Sequence, residues 1–222
     1  RQGLYLPDEA HLDNRALLDR LLDEIRALGG ECRAHCPVDT FPGEIVTADG
    51  RQPVDLVVDC RGTGARPRHS SLRGVRGETL HVQTTEIQLS RPVRLMHPRY
   101  QLYVVPKPRN CFVIGATQIE SEDRSPVSLQ SSLELGSALY TLSPAFAEAR
   151  ILEQGVNLRP AFLDNLPHVT QQDGLISANG LFRHGYLLAP AVVCHLLAAI
   201  RGEGEQPFAD ILAACPPQEN AA

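Results

Sequence analysis

The 222-residue sequence contains no run of 18 or more apolar residues and so carries no membrane-spanning helix. It also shows no signal-peptide pattern at its start, and the expected location is the cytoplasm. Lysine is nearly absent. Lys107 stands alone among 21 basic residues, the rest being arginine, so an isolated arginine says little about a site. A net charge of -5 excludes the clustered positive field that a nucleic-acid surface needs. Metal-site spacing is missing too. Cys32 and Cys36 flank His35 in "CRAHC", but no second Cys/His pair follows at zinc spacing, and the eight histidines form no H-E-x-x-H. The scattered Cys32, Cys36, Cys60, Cys111, Cys194 and Cys215 read as reduced, buried thiols, and no metal is expected. Hydrolase and nucleotide motifs are absent as well: there is no Gly-x-Ser-x-Gly elbow, no Walker loop and no pair of carboxylates at catalytic spacing. "DCRGTGARP" offers Gly62 and Gly64 but has Pro67 where a dinucleotide fingerprint needs a third glycine.

What is present suits a globular core, with 43% hydrophobic residues in a chain long enough for one large domain or two small ones. Residues 13–28 place Leu17, Leu18, Leu21, Leu22, Ile25 and Leu28 on one stripe of an amphipathic helix, with Asp13 or Asn14 as its cap. "VDLVVDCRG", residues 54–62, reads as a buried strand, and a helix beside such strands signals a partly parallel sheet. Between Val75 and Thr117 the style changes to short strands punctuated by Pro, Gly and Asn, the pattern of an antiparallel sheet. A second helix is expected from Ser125 as cap and Pro126 at its first position. "ILEQGVNLRPAF" and "GLISANG" read as strands, and a last helix as running from about Leu187 to Arg201. The fold class is α/β, mixed with α+β character. The sequence divides into 1–12, 13–73, 74–155 and 156–222, with both ends contributing to a parallel-type domain and an antiparallel sheet inserted between.

Few residues offer chemistry. Gly185 sits where a strand meets a helix, either as a plain turn glycine or where backbone N–H groups and the helix dipole face a ligand. Arg159, held extended by Pro160, is either a carboxylate clamp or a surface ion-pair partner. Tyr103 and Gln101 project from the same face of their strand, inner or outer.

The ordered set "VDLVVDCRGTGAR", "GVRGETL", "MHPRYQLYVVPKP", "FVIGATQIES", "SLELGSALYTLSPAFAEARILEQGVNLRPAFLDNLPHV" and "ANGLFRHGYLLAP" resembles the FAD-dependent D-amino-acid oxidase family. Within that family it is most similar to the glycine oxidases of bacterial thiamine biosynthesis, the ThiO kind. The likeness spans nearly the whole chain. It implies an incomplete Rossmann-like FAD domain, parts of 13–73 and 156–222, interleaved with an antiparallel substrate domain over 74–155, to which 1–12 form a tail. It implies FAD as cofactor and oxidation of an amino acid, by hydride transfer to the flavin, to an imine, with oxygen yielding peroxide. A thiazole synthase that takes up the glycine imine is the implied partner, and a homo-oligomer the implied assembly, although no stripe in the sequence marks an interface. Carried over by position, Arg159 pairs with the substrate carboxylate, Tyr103 hydrogen-bonds the substrate, and Arg183 lies over the active site. The backbone of His184, Gly185, Tyr186, Leu187 and Leu188 meets the flavin ring. Val38 and Gly62 pass the adenosine part, and Gln101 and Gln118 line the pocket. Gln101 stands where some glycine oxidases carry histidine, which leaves a D-amino acid or sarcosine open as substrate. The family's opening strand and G-x-G-x-x-G loop are not in this sequence, so it reads as the later portion of a longer chain, with an inactive fragment lacking FAD as the remaining alternative.

Overall fold

The structure, a computed structural model, describes residues 3–99, 101–203 and 208–209, with Gln101 described by its backbone alone. In chain order the helices and strands are α1 (Asn14–Ala27), β1 (Asp39–Phe41), β2 (Glu44–Thr47), β3 (Gly50–Pro53), β4 (Val57–Asp59), β5 (Arg73–Gln83), β6 (Val93–Met96), β7 (Gln101–Lys107), β8 (Cys111–Gly115), α2 (Leu129–Leu142), β9 (Arg150–Ala161), β10 (His168–Gln172), β11 (Leu175–Asn179) and α3 (Gly185–Arg201). They fall into two compact units. Unit 1 takes the residues up to Arg33, Arg76–Ile119 and Asp123–Asn157; unit 2 takes Ala34–Val75, Glu120–Glu122 and the residues from Leu158 onward.

In unit 1 the strands follow the order β6-β7-β8-β5-β9, and β6 to β7, β7 to β8 and β8 to β5 are antiparallel. Alternation along the strands turns Leu80, Val82, Leu102, Val104, Phe112 and Ile114 to one face. There they bury against Leu135, Ala138 and Leu139 of α2 and against Phe146, whose ring meets Phe112 edge-on at 5.4 Å. Full burial of such side chains is worth about 1.5–3 kcal/mol each, which makes this contact the main source of cohesion in unit 1.

Helix α2 starts later than its sequence suggests. Its cap is Ser128, whose Oγ accepts from the Ser131 N–H at 3.1 Å. Ser125 instead donates its hydroxyl to Asp123, and the Pro126 carbonyl accepts from Arg76 Nη2 at 2.8 Å. Arg76 is drawn inward by Glu78, which is fully buried and accepts from its Nε at 3.0 Å and Nη2 at 2.6 Å. A buried carboxylate persists only when paired and hydrogen-bonded, and here the pairing consumes the backbone that would have made the helix's first turn.

Helix α1 forms as its period predicts, capped by Asp13, whose Oδ1 accepts from the N–H groups of Arg15 and Ala16. Its grouping differs from the sequence reading, which set it with residues 13–73. It belongs to unit 1, where Arg15 reaches Glu153 of β9 at 2.6 Å and Lys107 of β7 donates to the Leu12 carbonyl at 2.8 Å. A hydrophobic period identifies a helix face but not what lies against it. None of its residues is buried: the Leu17, Leu18, Leu21, Leu22 and Ile25 stripe stays exposed.

Residues 31–38 form no strand, and in unit 2 the chain from Asp39 to Pro53 makes an antiparallel meander, β1-β2-β3. A second three-stranded sheet has the order β10-β11-β4; β10 and β11 form a hairpin, while β11 and β4 run parallel, as expected of a partly parallel sheet. All five residues of β11 are buried, and Ile176 and Ala178 pack against Val192, Leu196 and Ala199 of α3. No helix among the described residues is long and apolar enough to cross a membrane. The five described cysteines are free thiols, and none is buried; Cys60 and Cys194 are exposed, and Cys215 lies outside the described residues.

Candidate active site at the ends of two parallel strands

Strands β4 and β11 run side by side with Asp59 opposite Ser177, so both leave the sheet at the same edge. In open α/β sheets the crevice outside the carboxyl ends of parallel strands is where ligands bind. Two turns are built there: Gly62–Ala65 after β4, and the stretch from Gly180 to His184 between β11 and α3.

The first turn is fixed by a polar cluster around Asp59, which is 1% exposed. Asp59 accepts from Arg61 Nε at 3.0 Å and Nη2 at 2.8 Å and from the Thr40 hydroxyl at 2.7 Å, while Arg61 Nη1 donates to the Val38 carbonyl. Burial alone would raise the Asp59 pKa, but the hydrogen bonds from Arg61 and Thr40 and the guanidinium charge outweigh it and hold the carboxyl at about 2. A carboxyl depressed in the folded state stabilises the fold above its unfolded pKa, and that stabilisation disappears as pH falls toward the folded value. Between about pH 5 and pH 2 the protein should lose roughly 2 kcal/mol from this group, at about 1.4 kcal/mol per pKa unit. Urea unfolding at pH 7 and pH 3 checks this: the wild type should lose stability on acidification, and Asp59→Asn should lose clearly less.

Gly62 occupies the left-handed region at φ +57°. Its carbonyl accepts from the Asn179 side-chain amide at 2.9 Å, and a Cβ placed on it would lie 3.5 Å from the Pro160 ring. The second turn is tied to the same proline, the Phe182 N–H donating to the Pro160 carbonyl at 3.1 Å. Arg159, next to Pro160 on β9, is therefore carried to the edge where both turns lie. It is half-buried, and its pKa is lowered first by that burial and then by the positive charge of Arg183. Two guanidiniums brought within electrostatic reach of each other form a place where an anion is favoured.

Helix α3 opens at Gly185 with His184 as its cap residue, whose side chain makes no capping hydrogen bond. Tyr186 and Leu187 are exposed, and a Cβ built on Gly185 meets nothing within 4 Å. The first turn thus presents backbone N–H groups, beside a glycine with open space, in the manner that lets a flat polar ring approach. Val38, Gly62, Arg159, Arg183 and the residues His184 to Leu188 all lie in unit 2.

Tyr103 and Gln118 lie in unit 1. Tyr103 is on the face of β7 opposite the one that Leu102 and Val104 press against α2; it is half-buried, with the Arg94 guanidinium 5.3 Å from its ring centre. Gln118 is exposed, just before the bridge of Ile119 to Arg76. The Gln101 side chain is outside the described residues. Among the described residues no group of three or more His, Cys, Asp or Glu is placed to hold a metal ion. Sequence reasoning missed Asp59, Arg61 and Asn179. The signal available was a polar residue closing an otherwise apolar strand, as in "LVVD" and "LISAN".

A thiamine biosynthesis oxidoreductase named ThiO, from Rhizobium etli, is 44% identical over 207 residues, 93% of this chain and 60% of that protein. A bifunctional ThiO/ThiG protein from Trichormus variabilis is 28% identical over 85% of this chain, which spans 30% of it. The crystal structure of glycine oxidase from Geobacillus kaustophilus matches with a TM-score of 0.75 at 25% identity, over 90% of this chain and 58% of that one. The chain thus spans 60% or less of the length of these relatives. The profile of the FAD dependent oxidoreductase family, DAO, matches residues 1–200. With nearly its whole length matched, the chain belongs to the DAO family of FAD-dependent oxidoreductases.

Proposed function

We propose that this chain forms the substrate-clamping and flavin-facing part of an FAD-dependent glycine oxidase of the ThiO kind. The observation that carries the reading is the pairing of a half-buried Arg159 with Arg183 at the strand edge where Gly62 and the α3 N-terminus also lie. Arg159 clamps the substrate carboxylate through two parallel N–H donors, which fixes direction as well as charge. Arg183 adds a second positive charge over the same carboxylate. The N–H groups at the start of α3 face the ring and favour negative charge developing on it. Val38 and Gly62 line the passage of the adenosine portion. FAD, when bound, supplies the two-electron acceptor; the chain's own residues orient the amino acid and exclude competing reactions. The imine product is handed to a thiazole synthase, a reading supported by the relative whose name joins ThiO and ThiG.

The test is a visible spectrum of the protein with added FAD, followed by peroxide formation from glycine, D-alanine and sarcosine. Shifted flavin bands and a glycine rate well above the other two are expected. A protein that takes up no FAD, or that prefers sarcosine or D-alanine, overturns the reading. Gly185→Val supplies a second check. Because the added side chain has room in the fold, the variant should remain folded and yet bind FAD at least about tenfold more weakly, since the backbone approach is blocked. A titration by flavin fluorescence quenching that gives the wild-type Kd would remove the α3 N-terminus from the site.

A further inference from the structure

We propose that Asn179 is a positioning residue whose side-chain amide clasps together the two turns leaving β4 and β11, and so sets the Gly62 backbone for the dinucleotide. This inference rests on the FAD-binding reading above, and it concerns a residue outside the set assigned there.

Asn179 closes β11 and is 2% exposed, in a strand whose other buried side chains include Leu175, Ile176 and Ala178. Burying a primary amide in such company is costly for each of its groups left unbonded. Both ends of this one are used. Nδ2 donates to the Gly62 carbonyl at 2.9 Å, and Oδ1 accepts from the Gly180 N–H at 2.8 Å. The two bonds do not serve the same turn. One goes to the turn after β4 and the other to the turn after β11, and Gly62 and Gly180 both have left-handed backbones, at φ +57° and +77°.

The backbone pairing of β4 with β11 ends at Asp59 and Ser177. Beyond that point the Asn179 amide continues the tie from one strand end to the other. An apolar residue could fill the same volume but could hold neither turn. By drawing the Gly62 carbonyl inward, the amide also keeps an oxygen lone pair turned away from a ligand whose ribose and phosphates are rich in acceptors. Within the turn the backbone bonds are short-range, the Gly64 N–H to the Arg61 carbonyl at 3.1 Å and the Arg66 N–H to the Thr63 carbonyl at 3.4 Å, while the Arg61 side chain anchors its start to Asp59, Thr40 and Val38. Such bonds fix its local shape but not its position against β11.

The experiment compares the wild type with Asn179→Asp and Asn179→Thr. The first keeps the acceptor for Gly180 and replaces the donor by an oxygen facing the Gly62 carbonyl. The second fills the space without a buried charge, and its hydroxyl is one bond too short to reach. Two quantities are read: the Kd for FAD by fluorescence titration, and hydrogen exchange at the Gly64 and Arg66 amides relative to amides in α2. Both variants should bind FAD at least about tenfold more weakly and exchange the two amides at least about tenfold faster, with α2 unchanged. If either variant folds and keeps wild-type Kd and wild-type exchange at the turn, the clasp is refuted. A lowered melting temperature with neither local exchange nor Kd altered refutes it equally, since that is all a purely structural residue would do. If the wild type itself takes up no FAD, the functional reading fails on its own. The exchange comparison then still decides the clasp, faster exchange supporting it and unchanged exchange removing it.

Discussion

Gly180→Ala is expected to destabilise unit 2 by about 3 kcal/mol and to lower the melting temperature by roughly 6–12 °C, at about 2–4 °C per kcal/mol for a chain of this size. The reason is geometric. A Cβ on Gly180 would sit 2.3 Å from Phe162 Cδ2 and 2.7 Å from its Cε2, with the Leu166 carbonyl at 3.1 Å. Phe162 cannot turn aside cheaply. It is 3% exposed, stacked on the His168 ring at 4.0 Å between centres, and edge-on to His69 at 5.9 Å. Overpacking a tight interior costs about 1–3 kcal/mol, and the left-handed φ of +77° adds about 1–2 kcal/mol for any residue with a side chain. Calorimetry of the variant checks this, and a shift of less than about 2 °C would mean that Phe162 has somewhere else to go. Unlike Gly185, which opens on free space, Gly180 is a packing glycine, so the two should separate cleanly into a stability effect and a ligand effect.

Arg159→Ala should raise the KM for glycine about 100-fold in the FAD-loaded protein, with flavin content unchanged. Charge-assisted hydrogen bonds contribute about 1.5–3 kcal/mol, and a loss near 2.8 kcal/mol is a factor of about 100. Arg159→Lys should fall between the two, because it keeps the charge and loses the planar fork. The setting of Arg159 sharpens the expectation. Burial and the neighbouring Arg183 charge both work against its protonated form, and a bound carboxylate relieves both. Steady-state kinetics with glycine, alongside the absorbance ratio of flavin to protein, separates this role from a structural one. An unchanged KM would take Arg159 out of the substrate site.

The sequence revealed some of this more readily than the rest, for reasons that lie in how information is carried along a chain. The α1 stripe, the antiparallel strands around Tyr103 and Phe112, the β11 run and the α3 helix follow from spacing of two or 3.6 residues, which is local. The meander β1-β2-β3 and strand β10 were not legible, because their residues are polar and partly exposed and no alternation marks them. The α2 start was misplaced because a buried ion pair 50 residues away in sequence, Arg76 with Glu78, claims the backbone at Pro126 and Ser128. At the candidate site, the sequence singled out Arg159 because Pro160 fixes its backbone and Gly185 because a strand meets a helix there, and it left the role of each open between a ligand contact and an ordinary surface or turn residue. Asp59 and Asn179 were not, since Thr40 meets Asp59 and Gly62 meets Asn179 only once the chain has folded, and Arg61, two residues from Asp59, follows no period that would mark the pair.

The exposed stripe of α1 bears on how unit 1 comes apart. Helices in proteins draw most of their stability from packing an apolar face, and a 14-residue helix in water is marginal without it. What holds α1 is a few polar contacts: the Asp13 cap, the Arg20 to Glu24 pair one turn apart, the Arg15 bridge to Glu153, which is exposed at both ends, and Lys107 at its start. Exposed pairs of this kind contribute only a few tenths of a kcal/mol. The amides of α1 therefore open by a local helix-to-coil transition, at a small fraction of the free energy that protects the sheet beneath α2, and the helix and that sheet behave as separate cooperative units within one stretch of chain.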